Sequence, residues 1–186
     1  MNEALNVISR RRSIRLFKAD QIRREDLDSI VEAGLCAPSA NNAQDRHFTV
    51  VQNSAMRARM DTWILDEIES SGNARLQELV KRGDGSIFRN APTVIVISTE
   101  KGNQLAIINA AAAAENMLIA AESLGIGSCW IGMVSMLSAG RLVDDYAREL
   151  QLPDRYAPQI GITLGFRESA SPPPPERRQN LVSYFF

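Results

Sequence analysis

The segment NQLAIINAAAAAENMLIAAESLG, Asn103 to Gly125, constrains the fold more than any other part of the chain. It is built from strong helix formers, is apolar all round through its middle, and ends at Gly125, which can adopt the left-handed backbone that terminates a helix. A helix without a polar face has to be covered on every side, so this one is expected to be buried at the centre of the molecule. The Ala110 to Ala114 run lets a second helix approach closely, either within the core or across a subunit boundary.

The remaining elements are read around it. HFTVVQ (His47 to Gln52) and APTVIVIST (Ala91 to Thr99) are rich in β-branched residues and short enough for strands, and the second is apolar enough to be buried on both faces. These two are expected to be neighbours in one sheet, with YAPQIGITLGF (Tyr156 to Phe166) as a third strand. REDLDSIVEAGLCAPSANN places Leu27, Ile30, Val31 and Leu35 at helical spacing until Pro38 stops the helix at Ala37 and a polar loop follows. IGSCWIGMV (Ile126 to Val134) is a glycine-punctuated stretch, and SAGRLVDDYAREL (Ser138 to Leu150) reads as a capped helix. The polar segment from Ser54 to Arg89, with Trp63 and an RGDG turn at Arg82 to Gly85, is expected to form helices plus a mobile cover. Interspersed helices and about three or four strands, with no internal repeat, imply an α+β fold with a mixed sheet.

A length of 186 residues fits a single domain over residues 1–186. With 21 Lys+Arg against 22 Asp+Glu, a broadly basic nucleic-acid-binding surface is excluded, and the arginines of the N-terminal segment stand out as a local feature. Cys36 and Cys129, with His47 the one histidine, form neither a zinc spacing nor a disulfide framework, which fits a reducing, cytoplasmic setting. The charged first thirty residues hold no signal-peptide core, and no apolar stretch approaches about 20 residues, so a soluble protein without a membrane partner is expected.

Several chemistries are absent from the sequence. Gly125 and Gly127 follow a helix and the next glycine is Gly132, the wrong order and spacing for a dinucleotide fingerprint. There is no Walker-type loop and no G-x-S-x-G elbow. A pairing of His47 with either cysteine is outweighed by the structural roles that buried cysteines and lone histidines usually fill. An enzyme built this way needs a cofactor for the difficult step, and no metal is implied.

The stretch SRRRSIRLF, Ser9 to Phe17, carries four arginines among the six residues Arg10 to Arg15. Guanidinium forks and a serine hydroxyl together suit a phosphate. In an extended segment Arg11, Ser13 and Arg15 point to one side, leaving Ile14 and Leu16 to face the core. A solvated basic run after a short helix is the competing reading. At the other end, SPPPPERRQNLVSYFF begins with four prolines that favour an extended path and ends in apolar residues, so this tail is expected to dock, on a partner chain, rather than stay disordered.

Taken with RRSIRLF, the stretches APSANNAQ before HFTVV, AAAENMLIAAESLGIGSCWIG, LGF at Leu164 to Phe166, and PERRQNLVSYF resemble, in that order, the FMN-dependent nitroreductase family. The resemblance implies a mixed, mainly antiparallel sheet around a long buried helix in an intertwined homodimer. A lid segment would span about residues 54–89, and an extended C-terminal arm residues 171–186. It implies that Arg11, Arg12 and Ser13 grip the FMN phosphate, joined by Arg177 and Arg178, and that Arg15 lies near the flavin pyrimidine edge. Pro38, Ser39, Ala40, Asn42 and Gln44 match the loop that reaches the flavin from the second subunit. Trp130, Ile131 and Gly132 match the loop along the ring, whose backbone amides face N5 and O4; Trp130 packs either on the ring or in the core. No protein group is then the nucleophile: NADH or NADPH reduces the flavin, and an electron-poor acceptor such as a nitroaromatic or quinone reoxidises it. Asp45 and Arg46 replace the family's Pro-Trp, which is expected to alter and charge the surface beyond the loop. A specialised metabolite substrate and a flavin-sequestering dimer are the alternative readings, and a nucleic-acid-binding arm is disfavoured by the overall charge.

Overall fold

Four strands form one sheet in the order β1-β2-β4-β3, with β1 at Arg46–Val51, β2 at Thr93–Glu100, β3 at Gly127–Ile131 and β4 at Tyr156–Gly165. The computed structural model describes residues 2–81, 85–140 and 142–186. Every pairing between these strands is antiparallel; the parallel element of the expected mixed sheet is a single bridge, Ser13 to Ser128. β1 and β2 are neighbours as expected, and β2 is buried along its length apart from Glu100. Its alternation explains why: Ile95 and Ile97 point into one core layer, Val94 and Val96 into the other. Pro158 of β4 has no N–H for the ladder, and the register between β2 and β4 shifts where Ser98 meets it.

Helices cover both faces. α1 (Glu3–Arg10), α2 (Arg24–Leu35) and α5 (Ala106–Ser123) lie on one side, where Leu27, Ile30, Ala110, Ala114 and Met117 join Ile95 and Ile97. Gly34 of α2 leaves the room that the Met117 side chain of α5 fills. α3 (Ser54–Ser70), α4 (Ala74–Lys81), α6 (Met136–Ala139) and α7 (Val143–Glu149) belong to the other side, where Met60, Ile64, Leu137 and Tyr146 pack with Val94 and Val96. Gly125 sits at φ 75° just beyond α5, as its role as a helix stop requires.

Three expectations need correction. α5 is not covered on every side: Ala113, Ala114 and Met117 are fully buried, but Ile108 is 62% exposed, because sheet and α2 occupy only part of its circumference. The single capped helix expected over Ser138 to Leu150 is two helices, α6 and α7. Gly140 leaves the helical conformation between them, where the Glu67 carboxylate occupies the space a side chain would need, and α7 has no side-chain cap. IGSCWIGMV contains a full strand, β3, hydrogen-bonded to β4, followed by a 3-10 turn at Gly132–Ser135.

The segment after β1 is helical as expected, in α3 and α4, while Arg82, Gly83 and Asp84 of the RGDG turn lie outside the described residues. The chain beyond Ser169 is extended and exposed, and Leu181, Tyr184 and Phe185 touch no core of their own chain. Among the described residues no helix is long and apolar enough to cross a membrane.

Candidate active site

The arginine segment is pinned to the sheet's edge. α1 ends with Arg11 N–H donating to Val7 O at 3.0 Å; the Ile14 N–H then donates to Ser128 O at 2.8 Å, and Phe17 bridges Arg167. Ile14 is buried, and Gly127, with no side chain, makes room for it. Leu16, expected to face the core, is instead 59% exposed: the pairing with β3 lasts one bridge, so the strand-like alternation is lost between Ser13 and Phe17.

Arg15 reaches a cleft walled by Leu79, Val80, Ile87, Arg89 and the stretch Cys129 to Met133. Trp130, 37% exposed, lines this cleft and is not part of the buried core. Ile131 turns its side chain into the core, so its contribution to the cleft is mainly backbone, and Gly132 opens the exposed 3-10 turn. The Cys129 thiol registers how closely the cations gather: burial pushes it up, while Arg15, a hydrogen bond with Ser13, Arg89 and Arg11 each pull it down. Arg15 is thus brought together with Trp130, Ile131 and Gly132, whereas Arg11 and Ser13 do not line this cleft. A second hollow runs from Ser13, Arg15 and Leu16 to Ser169, Ala170 and Pro172.

Arg12 behaves differently. Its Nη1 donates to Ser9 O at 2.8 Å and Arg11 O at 2.7 Å, closing the end of α1, and its buried Nε has no partner. Arg11 also lies 3.9 Å from the Glu115 carboxylate. His47 and Cys129 stand on opposite edge strands, roughly 14 Å apart across the sheet at ordinary strand spacing and further offset along it, which removes a pairing of these two.

The loop Pro38 to Gln44 lines neither hollow. It is a tight structure with Asn41, Asn42 and Gln44 at positive φ, and the Gln44 N–H donates to Ser39 Oγ at 3.0 Å. Asp45 and Arg46 hold it. Asp45 is 7% exposed and accepts from Asn103 Nδ2 and Asn109 Nδ2, both at 2.9 Å, and Arg46 donates to Ala37 O and Pro38 O at 3.1 Å. The expectation of a charged surface is therefore wrong for Asp45, whose carboxylate is buried among amides. Arg177 and Arg178 are exposed on the tail, and neither lines the cleft.

Sequence reasoning missed Arg89, half-buried at φ 55°. Its signal was faint: Arg-Asn-Ala-Pro immediately before a buried strand, with Arg89 and Asn90 both taking the left-handed backbone that turns favour.

The Nitroreductase family profile matches residues 8–166. A nitroreductase of Bacteroides fragilis, solved with bound FMN, superimposes with a TM-score of 0.91 at 31% identity over 100% of both chains. An Archaeoglobus fulgidus protein provisionally named NADH dehydrogenase/NAD(P)H nitroreductase is 33% identical over 138 residues, 72% of this chain and 69% of its own. The FMN reductase (NADPH) of Bacillus subtilis is 26% identical over 192 residues, 98% of this chain and 73% of its own. Profile match and fold agree: the chain belongs to the nitroreductase family.

Proposed function

We propose that this chain is an FMN-dependent oxidoreductase that draws electrons from NADH or NADPH and reduces electron-poor acceptors such as nitroaromatics or quinones in a ping-pong cycle. The observation that carries this reading is the cleft that Arg15 shares with Trp130, Ile131 and Gly132, with Ser13 and Arg15 lining the adjoining hollow. The donor set fits the cofactor: guanidiniums and a hydroxyl suit a phosphate. Arg12 fits less well, since its head group is spent on the end of α1.

FMN, when bound, supplies the two-electron relay at N5. The protein's part is binding, orientation and electrostatics. Arg15 places positive charge at the cleft, favouring negative charge that develops on a ring held there. Leu79, Val80, Ile87 and Met133 add apolar side chains to the walls, against which a flat ring can pack. Trp130 offers a flat surface and Gly132 an unobstructed backbone.

The site is completed in a homodimer, in which Pro38, Ser39, Ala40, Asn42 and Gln44 of one copy and the tail with Arg177 and Arg178 reach the other. Exposed Leu5, Ile8 and Ile108 and the apolar end of the tail support this, because one chain alone leaves that surface in water.

The test is the visible spectrum of the purified protein, followed by anaerobic addition of NADH and then NADPH. A flavin band that bleaches with either donor is expected. A colourless protein that takes up no added FMN refutes the cofactor; a band that neither donor bleaches refutes the electron donor and leaves a sequestering dimer.

A further inference from the structure

We propose that Arg89 recognises the acceptor, and that it selects electron-poor aromatic compounds bearing a carboxylate. The inference rests on the flavin reading above and goes beyond it by assigning a substrate class to a residue of the cover segment. Arg89 lines the same cleft as Arg15 but arrives from a different part of the chain, the part that contributes Leu79, Val80 and Ile87. Arg15 belongs to the segment assigned to the cofactor; Arg89 adds a second arginine to the wall of the same cleft.

The turn that presents Arg89 is built to hold it. Asp61 of α3 accepts from Ser86 Oγ at 2.9 Å and from the Phe88 N–H at 3.1 Å. Ser86 Oγ in turn accepts the Asn90 N–H at 3.1 Å, and the Ala91 N–H closes on Phe88 O at 3.0 Å. Phe88, 1% exposed, anchors the turn in the core. Within this frame Arg89 keeps a long cationic side chain at φ 55°, a conformation that costs a non-glycine residue energy and that functional sites tend to retain.

The ligand follows from the walls. Apolar side chains and Trp130 accept a flat aromatic ring, and a guanidinium fork matches a carboxylate with two parallel hydrogen bonds. None of the described residues lining the cleft is acidic, so an incoming anion meets no like charge among them.

The experiment titrates the oxidised holoprotein, without nicotinamide, with 4-nitrobenzoate and with its neutral analogue 4-nitrobenzamide, following flavin absorbance. The kcat/KM ratio for the two compounds is then measured with NADH or NADPH. Wild-type protein is expected to prefer the carboxylate, and Arg89→Gln to lose about ten- to a hundredfold of that preference in both binding and kcat/KM. Arg89→Lys, which keeps the charge without the fork, is expected to retain part of it. A wild-type protein with no preference, or an Arg89→Gln protein with an undiminished one, overturns the proposal. So does an Arg89→Gln protein that releases FMN, which would make Arg89 a cofactor ligand. A yellow, reducible protein without the preference refutes this inference alone, whereas a protein that binds no FMN refutes both readings.

Discussion

Asn109 donates through Nδ2 to the buried carboxylate of Asp45 at 2.9 Å, while its Oδ1 accepts the backbone N–H of Ala40 at the same distance. One amide thus ties a buried charge to the loop assigned to the partner's flavin. Asp45→Ala strips acceptors from two amides, the exposed Asn103 and the buried Asn109, and at Asn109 water does not replace it. The expected cost is about 2 kcal/mol of stability, read from denaturant unfolding. Flavin affinity should fall as well, because the loop loses its anchor; a variant with unchanged stability and affinity would make the Asp45 contacts incidental.

Arg11→Ala is expected to weaken FMN binding about ten- to a hundredfold, since a charge-assisted bond to phosphate is worth about 1.5–3 kcal/mol. The measurement is flavin release on dilution or dialysis. Retention equal to wild type would take Arg11 out of the site and leave its role to the neighbouring Glu115 carboxylate. Arg12→Ala should weaken FMN less and loosen α1 more, because Arg12 already serves Ser9 O and Arg11 O.

The elements legible in the sequence are those whose pattern is local. β2 announces itself by an unbroken apolar run, α5 by its helix formers, and the arginine segment by charge density. What sequence could not show depends on partners distant in the chain. β3 is a strand because β4 pairs with it, and no periodicity within five residues interrupted by glycine says so. Asp45 looks like a surface charge until Asn103 and Asn109, about sixty positions on, enclose it. Leu16 breaks the alternation because the ladder stops after one bridge, and Arg89 faces the cleft only because Asp61 holds its turn. The exposed side of α5 is the reverse case: an apolar sequence leaves Ile108 exposed on the single chain, on the surface proposed above to meet a second copy.

Truncation before Arg177 is expected to lower both FMN retention and the dimer fraction. The tail leaves Leu181, Tyr184 and Phe185 exposed, so its removal costs the single chain no core. Sedimentation and flavin content measured on the same preparation decide it. A truncated protein that stays yellow and dimeric would return the tail to the disordered reading and Arg177 and Arg178 to solvent.

The last prediction concerns the two thiols. Cys36 is exposed and Cys129 buried, and burial holds the Cys129 thiol above its ordinary value of 9.0 against the pull of Arg15, Ser13, Arg89 and Arg11. Iodoacetamide near neutral pH should therefore label Cys36 and spare Cys129. The sign of the pH dependence follows: between the unfolded and folded values the native thiol keeps its proton while the unfolded one loses it. The thiol's contribution to stability is thus present below about pH 9 and lost as pH rises further. Cys129→Ser should flatten the alkaline limb of the stability curve measured from pH 7 to 10.5. Because Arg15 is the strongest of the groups pulling the thiol down, Arg15→Leu should push Cys129 higher still, making it slower to alkylate at alkaline pH than in the wild type. Faster alkylation of Cys129 in that variant would mean Arg15 shields the thiol sterically and does not act on it through charge.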